Sequence, residues 1–216
     1  MKDCLIVFAK EPEVGKVKTR LEGYLSKEQC VALYKAFLKD TLAMVKAVSR
    51  TDVVVAYQSI AASPGYLQRI GKEFIFYKQK GKDLGARMHK AFQFAEKMNY
   101  RKTVIVGTDS PNLPPQYINE AFRKLDKNDV VLGPSFDGGY YLVGLKESCI
   151  GMWKRIQWSK AAVLENTVRN AKSLNKKVYL LKRWYDIDDP SGLIRLRQDL
   201  KVNIKSAPWT RKLLKI

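Results

Sequence analysis

The chain has one histidine, His89, among 216 residues. A Ser-His-Asp triad or a histidine-rich metal centre has little to draw on, and His89 lies in a helical pattern where a surface position is expected. Cysteine is scarce too: Cys4, Cys30 and Cys149 are odd in number, far apart and without a Cys-x-x-Cys pair. That spacing argues against a disulfide frame and for buried thiols in a reducing compartment, so a cytoplasmic location is expected. No apolar run approaches the ~18 residues of a membrane span. The run from Cys4 to Ala9 is too short for the hydrophobic region of a secretion signal.

Acidic residues are also few, with 21 Asp plus Glu against 40 Lys plus Arg, a formal net charge of +19. The cations are spread through almost every segment, and no helix-turn-helix, RRM or zinc-finger pattern accompanies them. Nucleic acid is therefore not the expected partner; an anionic small molecule suits the charge equally well. At 46% hydrophobic and 28% charged, the composition is that of a globular protein, and one domain is expected over residues 1–216.

What the chain does have is an alternation of strand and helix signals. CLIVFAK reads as a first strand. Ser26 and Gln29 form a capping box ahead of Val31, Tyr34, Phe37, Leu38, Leu42, Val45 and Val48 at helical spacing. TDVVVAY is a second strand, Ser63-Pro64 the start of a short helix, and FIFY a third strand. A helix with Met88, Ala91, Phe92 and Ala95 inward follows Asp83, and then comes the strand TVIV. A helix over PPQYINEAFRKL, two β segments over DVVLGPSFDGGYYLVGL, a helix capped by Ser159, a last strand and a helix from near Pro190 complete the chain. This order implies an α/β fold with a mostly parallel sheet and crossover helices.

The candidate chemistry lies in the loops that follow the strands. Thr103 to Val106 run into GTDSPNLP, delivering Asp109 to the C-terminal end of a buried strand, where ligands collect in open α/β sheets. Asp-Ser-Pro also suits a helix start, with Asp109 or Ser110 as the cap. Two more acidic loops, FDGGYY and WYDIDDP, make three caps a poorer account than a site. The first loop holds Lys10, Gly15, Lys16, Lys18 and Arg20, a mobile glycine among cations that suits phosphate. It is not a Walker A motif, since Lys10 and Val17 stand where a glycine and a Ser or Thr are needed.

Arg87, in the first turn of its helix, reads either as a phosphate ligand or as an exposed helix residue, and Asp83 beside it as that helix's cap. Asp137, Gly138 and Gly139 read either as a plain hairpin turn or as bare backbone for a ligand beside Tyr140. Asp186 and Asp188 are two apart, so in an extended segment both carboxylates face one way, toward a hard cation such as Mg²⁺. Asp188 or Asp189 also suits the cap of the helix that follows.

FAKEPEVGKVKTRL, KGKDLGARM, GTDSPNLP, PSFDGGYYLVGL and WYDIDDP, in that order, span almost the whole chain. Together they resemble the glycosyltransferase-A-like radical-SAM/selenodomain-associated transferases, and more distantly the guanylyltransferases of molybdenum cofactor and phospholactate cofactor synthesis. The resemblance implies a nucleotide-diphospho-sugar transferase fold of GT-A type, a three-layer sandwich with helices on both faces of a mostly parallel mixed sheet. It implies a nucleotide-activated donor, with nucleotide-binding roles for Lys16, Lys18 and Arg20; Lys10, Gly15, Asp83 and Arg87 are expected to join them in binding the nucleotide. Mg²⁺ or Mn²⁺ on Asp109 and Asp188, with Asp186 in support, is implied as well. Asp109 and Asp137 are the expected catalytic residues, and Gly138, Gly139 and Tyr140 the acceptor or sugar side. Glycosyl transfer is the leading expectation and nucleotidyl transfer the alternative; a non-catalytic nucleotide- or nucleic-acid-binding domain is the reading of another class.

Overall fold

The computed structural model describes residues 2–48, 50–59 and 65–216; the helix start expected at Ser63-Pro64 lies outside them. The elements follow the expected alternation: β1 (Asp3–Lys10), α1 (Lys27–Lys46), β2 (Thr51–Gln58), α2 (Gly65–Ile70), β3 (Ile75–Lys78), α3 (Leu84–Lys97), β4 (Thr103–Val106) and α4 (Pro115–Lys124). After these come β5 (Val130–Pro134), β6 (Tyr140–Leu145), α5 (Val163–Ser173), β7 (Val178–Leu180), α6 (Pro190–Val202) and α7 (Pro208–Leu214). Short 3-10 turns stand at Thr19–Leu21 and Ile150–Trp153.

The seven strands form one sheet in the order β3-β2-β1-β4-β6-β5-β7. Only β6 runs against its neighbours, antiparallel to both β4 and β5. The chain moves outward from β1 through β2 to β3, then crosses back to place β4 on the other side of β1. This reversal makes a crevice outside the C-terminal ends of β1 and β4, the usual ligand position in open α/β sheets.

Strand alternation splits the sheet's side chains between two cores. Leu5, Val7, Val55, Val104 and Val106 face one way and meet Val31, Tyr34 and Leu38 of α1 with Ile118 and Phe122 of α4. Cys4, Ile6, Val54 and Ile105 face the other way and meet Met88, Ala91 and Phe92 of α3 with Val163 and Ala171 of α5. Helix α1 has a second apolar side, Cys30, Leu33 and Phe37, which packs against Leu193, Leu196 and Leu200 of α6. Burying a side chain of this size stabilises by about 1.5–3 kcal/mol, so α1 joins the C-terminal segment firmly to the sheet.

Local signals decided the starts of α1, α3 and α6. Ser26 and Gln29 form the reciprocal capping box, and Asp83 and Asp189 each accept a backbone N–H in the first turn, from Ala86 and Gly192 respectively. The helix expected after Ser159 begins instead at Val163, with Ala162 at its cap position. Ser159 is left outside it in a left-handed conformation, φ 62°. The basic tail folds as α7, whose first amides, on Trp209 and Thr210, donate to Asp40 of α1 at 3.0 and 2.9 Å.

Candidate active site

The ends of β1 and β4 are tied together by one hydroxyl. Tyr34 of α1 accepts from the Lys10 amide at 2.9 Å and lies 3.0 Å from the Thr108 hydroxyl, and burial pushes its own ionisation well up. Asp109 follows Thr108, and no helix starts there, because α4 begins only at Pro115. The Asp109 carbonyl instead accepts from the Ile187 amide at 2.8 Å. That bond draws the WYDIDDP segment, which runs on from β7 beside Pro134 and Ser135, across the end of β4.

These ties bound a cavity of about 600 Å³ at the C-terminal ends of the strands. Its walls include Lys10, Lys16, Lys18 and Arg20 from the first loop, Arg87 from α3, Asp109, Asp186 and Asp188, and Tyr140. The sequence expectation for these nine residues meets a common space.

At its centre, two carboxylates meet one ammonium. Lys18 Nζ contacts Asp109 Oδ1 closely, donates to the Ile187 carbonyl at 2.7 Å and lies 3.5 Å from Asp188 Oδ1. Arg20 stands 3.6 Å from the other Asp188 oxygen. The Lys18 side chain is 3% exposed, and its backbone is left-handed, φ 52°, a strained conformation for a residue other than glycine. Burial and the neighbouring Asp109 raise the Asp188 pKa, with Lys18 and Arg20 acting in the opposite sense.

Asp186 does not share this cation. Its Oδ1 accepts from the Ser110 hydroxyl at 2.7 Å. Burial, opposed by that hydrogen bond and aided by Asp109 and Asp188, pushes its pKa up to about 7. Asp186 and Asp188, expected to face one ion, thus have different partners here, with the Ile187 amide between them bonded to the Asp109 carbonyl in the loop after β4. Two carboxylates and a carbonyl converging on one point are a hard-oxygen donor set, and Mg²⁺ typically takes one or two carboxylates plus phosphate oxygens. The residues fit such an ion by chemistry, at a point that the Lys18 ammonium holds. Among the described residues, no group of three or more His, Cys, Asp or Glu side chains is placed to bind metal.

Five expected residues, Asp83, Gly15, Asp137, Gly138 and Gly139, lie off the cavity wall. Asp83 caps α3, and Gly15 sits in the outer part of the first loop with φ 70°. Asp137 is exposed and closes its own turn, accepting from the Ser135 hydroxyl and, at 2.9 Å, from the Gly139 amide. Gly138, with φ +87°, is approached by the protein's own backbone at Ala161, so its bare face is filled from within. The turn from Ser135 to Gly139 is the hairpin that Asp-Gly signals, with Ser135 N donating to the Gly139 carbonyl.

Other wall residues carry no sequence motif. Gln58 and Gln79 stand at the ends of β2 and β3; Gln58 accepts from Arg87 at 3.0 Å, and Gln79 donates to the Ala56 carbonyl at 2.8 Å. Trp158 and Ser159 close the opposite side, where Trp158 and Trp153 pack so tightly on Gly85 of α3 that a Cβ there would lie 2.7–2.8 Å from both. Trp153 donates to the Tyr140 hydroxyl at 3.0 Å, fixing Tyr140 at the edge of the cavity.

Sheet order, helix layers and the crevice at the strand reversal define an α/β fold of the nucleotide-diphospho-sugar transferase type. Within that class, residues 41–160 match the family described as "Uncharacterized protein conserved in bacteria (DUF2064)", and the chain belongs to it. A Desulfovibrio desulfuricans structure, provisionally named a nucleotide-diphospho-sugar transferase, superposes with a TM-score of 0.91 at 32% identity, covering 100% of this chain and 95% of that one. The 2-phospho-L-lactate guanylyltransferase of Methanocaldococcus jannaschii is 28% identical over 184 residues, 83% of this chain and 76% of that protein. The 4-diphosphocytidyl-2C-methyl-D-erythritol synthase of Anaerococcus prevotii has a TM-score of 0.62 at 10% identity over 92% and 96% of the two chains, a likeness of fold. The first two of these are transferases by name. Among the described residues, no helix is long and apolar enough to cross a membrane.

Proposed function

We propose that this protein is a nucleotidyltransferase, joining the nucleoside monophosphate part of a nucleoside triphosphate to a small phosphorylated acceptor and releasing pyrophosphate. One observation carries the reading: the cavity gathers five cations around its paired carboxylates, while Asp137, the base expected for glycosyl transfer to a hydroxyl, is spent on its own turn. An acceptor phosphate is already ionised and needs no base. One of its oxygens attacks the α-phosphorus, a new P–O bond forms, and the bond to the bridging α–β oxygen breaks with its electrons on pyrophosphate. The guanylyltransferase relatives make GTP the first donor to test.

Each wall has a part in this reaction. Lys16, Arg20 and Arg87 neutralise the triphosphate and the leaving pyrophosphate, where fixed cations act with little reorganisation. Asp109 and Asp188 would hold Mg²⁺ or Mn²⁺, which supplies charge neutralisation and polarises the α-phosphoryl group when bound. Tyr140 and Trp158 bound the acceptor side, and Gln58 and Gln79, at the ends of β2 and β3, offer amides to the base. Binding is tested by thermal shift with nucleoside triphosphates and nucleotide-sugars, each with and without Mg²⁺ or Mn²⁺. A ligand at 100 times its Kd stabilises by about 2.7 kcal/mol, a rise of roughly 5–10 °C in a chain of this size. The proposal expects a metal-dependent rise with a triphosphate, abolished in Asp109→Ala; a rise only with nucleotide-sugars counts against it.

A further inference from the structure

We propose that Lys18 closes the metal point of the ligand-free protein, so that a divalent ion enters only together with the phosphates that draw the Lys18 ammonium away. An ammonium has three protons, and the Lys18 ammonium finds three acceptors: Asp109, Asp188 and the Ile187 carbonyl. Its side chain is almost completely buried, 5.2 Å above the Phe37 ring, while that of Arg20 is 64% exposed and meets Asp188 from the solvent side. The left-handed backbone at Lys18, φ 52°, is disfavoured for a residue other than glycine, so the contacts of the side chain hold the loop against strain.

Charge makes this arrangement a closed one. Asp109 and Asp188 carry two negative charges, and Lys18 and Arg20 cancel both. A divalent ion at the same point meets no unbalanced charge and sits beside an ammonium, so it binds weakly on its own. Asp186, held by Ser110, adds the same background whether or not Lys18 is present. A triphosphate brings more negative charge than one divalent ion cancels, and Lys18 lines the same cavity as Lys16 and Arg20. The flexible lysine stem lets the ammonium exchange carboxylate oxygens for phosphate oxygens without moving the sheet. The protein would then take up metal and nucleotide together and leave free metal aside. The identity of the phosphates rests on the nucleotidyl-transfer reading; the closed metal point does not.

The test is Mn²⁺ titration of the full chain without nucleotide, followed by the loss of the aqueous Mn²⁺ paramagnetic resonance signal. Lys18→Met is expected to bind Mn²⁺ at least about tenfold more tightly than the wild type, since a unit charge is removed within a few ångströms. The double variant Lys18→Met, Asp109→Asn is expected to lose the gain. Lys18→Gln, which keeps a hydrogen-bond donor but no charge, gives the same answer should the methionine variant fail to fold. Equal affinity in folded wild type and Lys18 variants overturns the proposal, as does a gain that survives loss of Asp109. Nucleotide binding by the wild type is read separately, so a failed transferase reading leaves the Mn²⁺ result standing.

Discussion

Replacing Gly138 by alanine tests how the turn between β5 and β6 is packed. Gly138 has φ +87°, where an L side chain is strained by about 1–2 kcal/mol. A Cβ there would also lie 2.6 Å from both Cα and C of Ala161 and closer still to its carbonyl oxygen. These are backbone atoms, and the adjoining Leu164 amide donates to the Gly138 carbonyl at 2.9 Å, so the clash is relieved only by moving two loops together. Overpacking of this kind costs about 1–3 kcal/mol, giving about 2–5 kcal/mol in all. At roughly 2–4 °C per kcal/mol, the melting temperature of Gly138→Ala should fall by about 4–20 °C. Gly23→Ala is the control, because Gly23 has φ +98° but nothing within 4 Å of the added Cβ, leaving only the strain. Urea unfolding of the two variants separates the contributions. Equal losses in both would refute the claim that Ala161 backbone fills the space beside Gly138.

Three further outcomes follow from contacts near the site. Tyr185→Phe removes a buried hydroxyl that accepts from Asn112 at 2.6 Å and donates to Asp199, and should cost about 1–3 kcal/mol in urea unfolding. Asp40→Ala leaves the first amides of α7 without acceptors, so hydrogen exchange over residues 208–214 should accelerate while that of β1 stays slow. Burial lowers the His89 pKa below its ordinary 6.5, aided by Lys90. The unfolded chain therefore takes up the proton first, and stability falls as pH drops through that value; His89→Gln should flatten the decline between about pH 7 and 5, read from melting temperatures.

The fold was legible where local chemistry and burial agreed. Ser26 and Gln29 announced α1, Asp83 announced α3, and TVIV ran straight into Asp109 at the end of a buried strand. The antiparallel β6 followed from the Asp-Gly-Gly turn, whose hairpin reading proved to be the structural one. What could not be read was set by distant contacts. Gln58 and Gln79 reach the cavity only because β2 and β3 are parallel neighbours, and Trp158 only because Gly85 lets it close on α3. Asp186 and Asp188 obeyed the two-residue spacing, yet the Ile187 amide between them bonds to the Asp109 carbonyl in the loop after β4, and Ser110 takes Asp186. Lys18 read as one cation among four in its loop; its left-handed backbone, unusual outside glycine, brings it to the two carboxylates.

Nucleotidyl transfer is tested most directly by label. GTP carrying 32P at the α-phosphate, incubated with Mg²⁺ and a panel of small phosphorylated acids, should pass its label into a diphosphate-linked product. GTP labelled at the γ-phosphate should release labelled pyrophosphate at the same rate, and Asp109→Ala should abolish both. Sugar transfer from a nucleotide-sugar, with no pyrophosphate released from any triphosphate, would contradict the account.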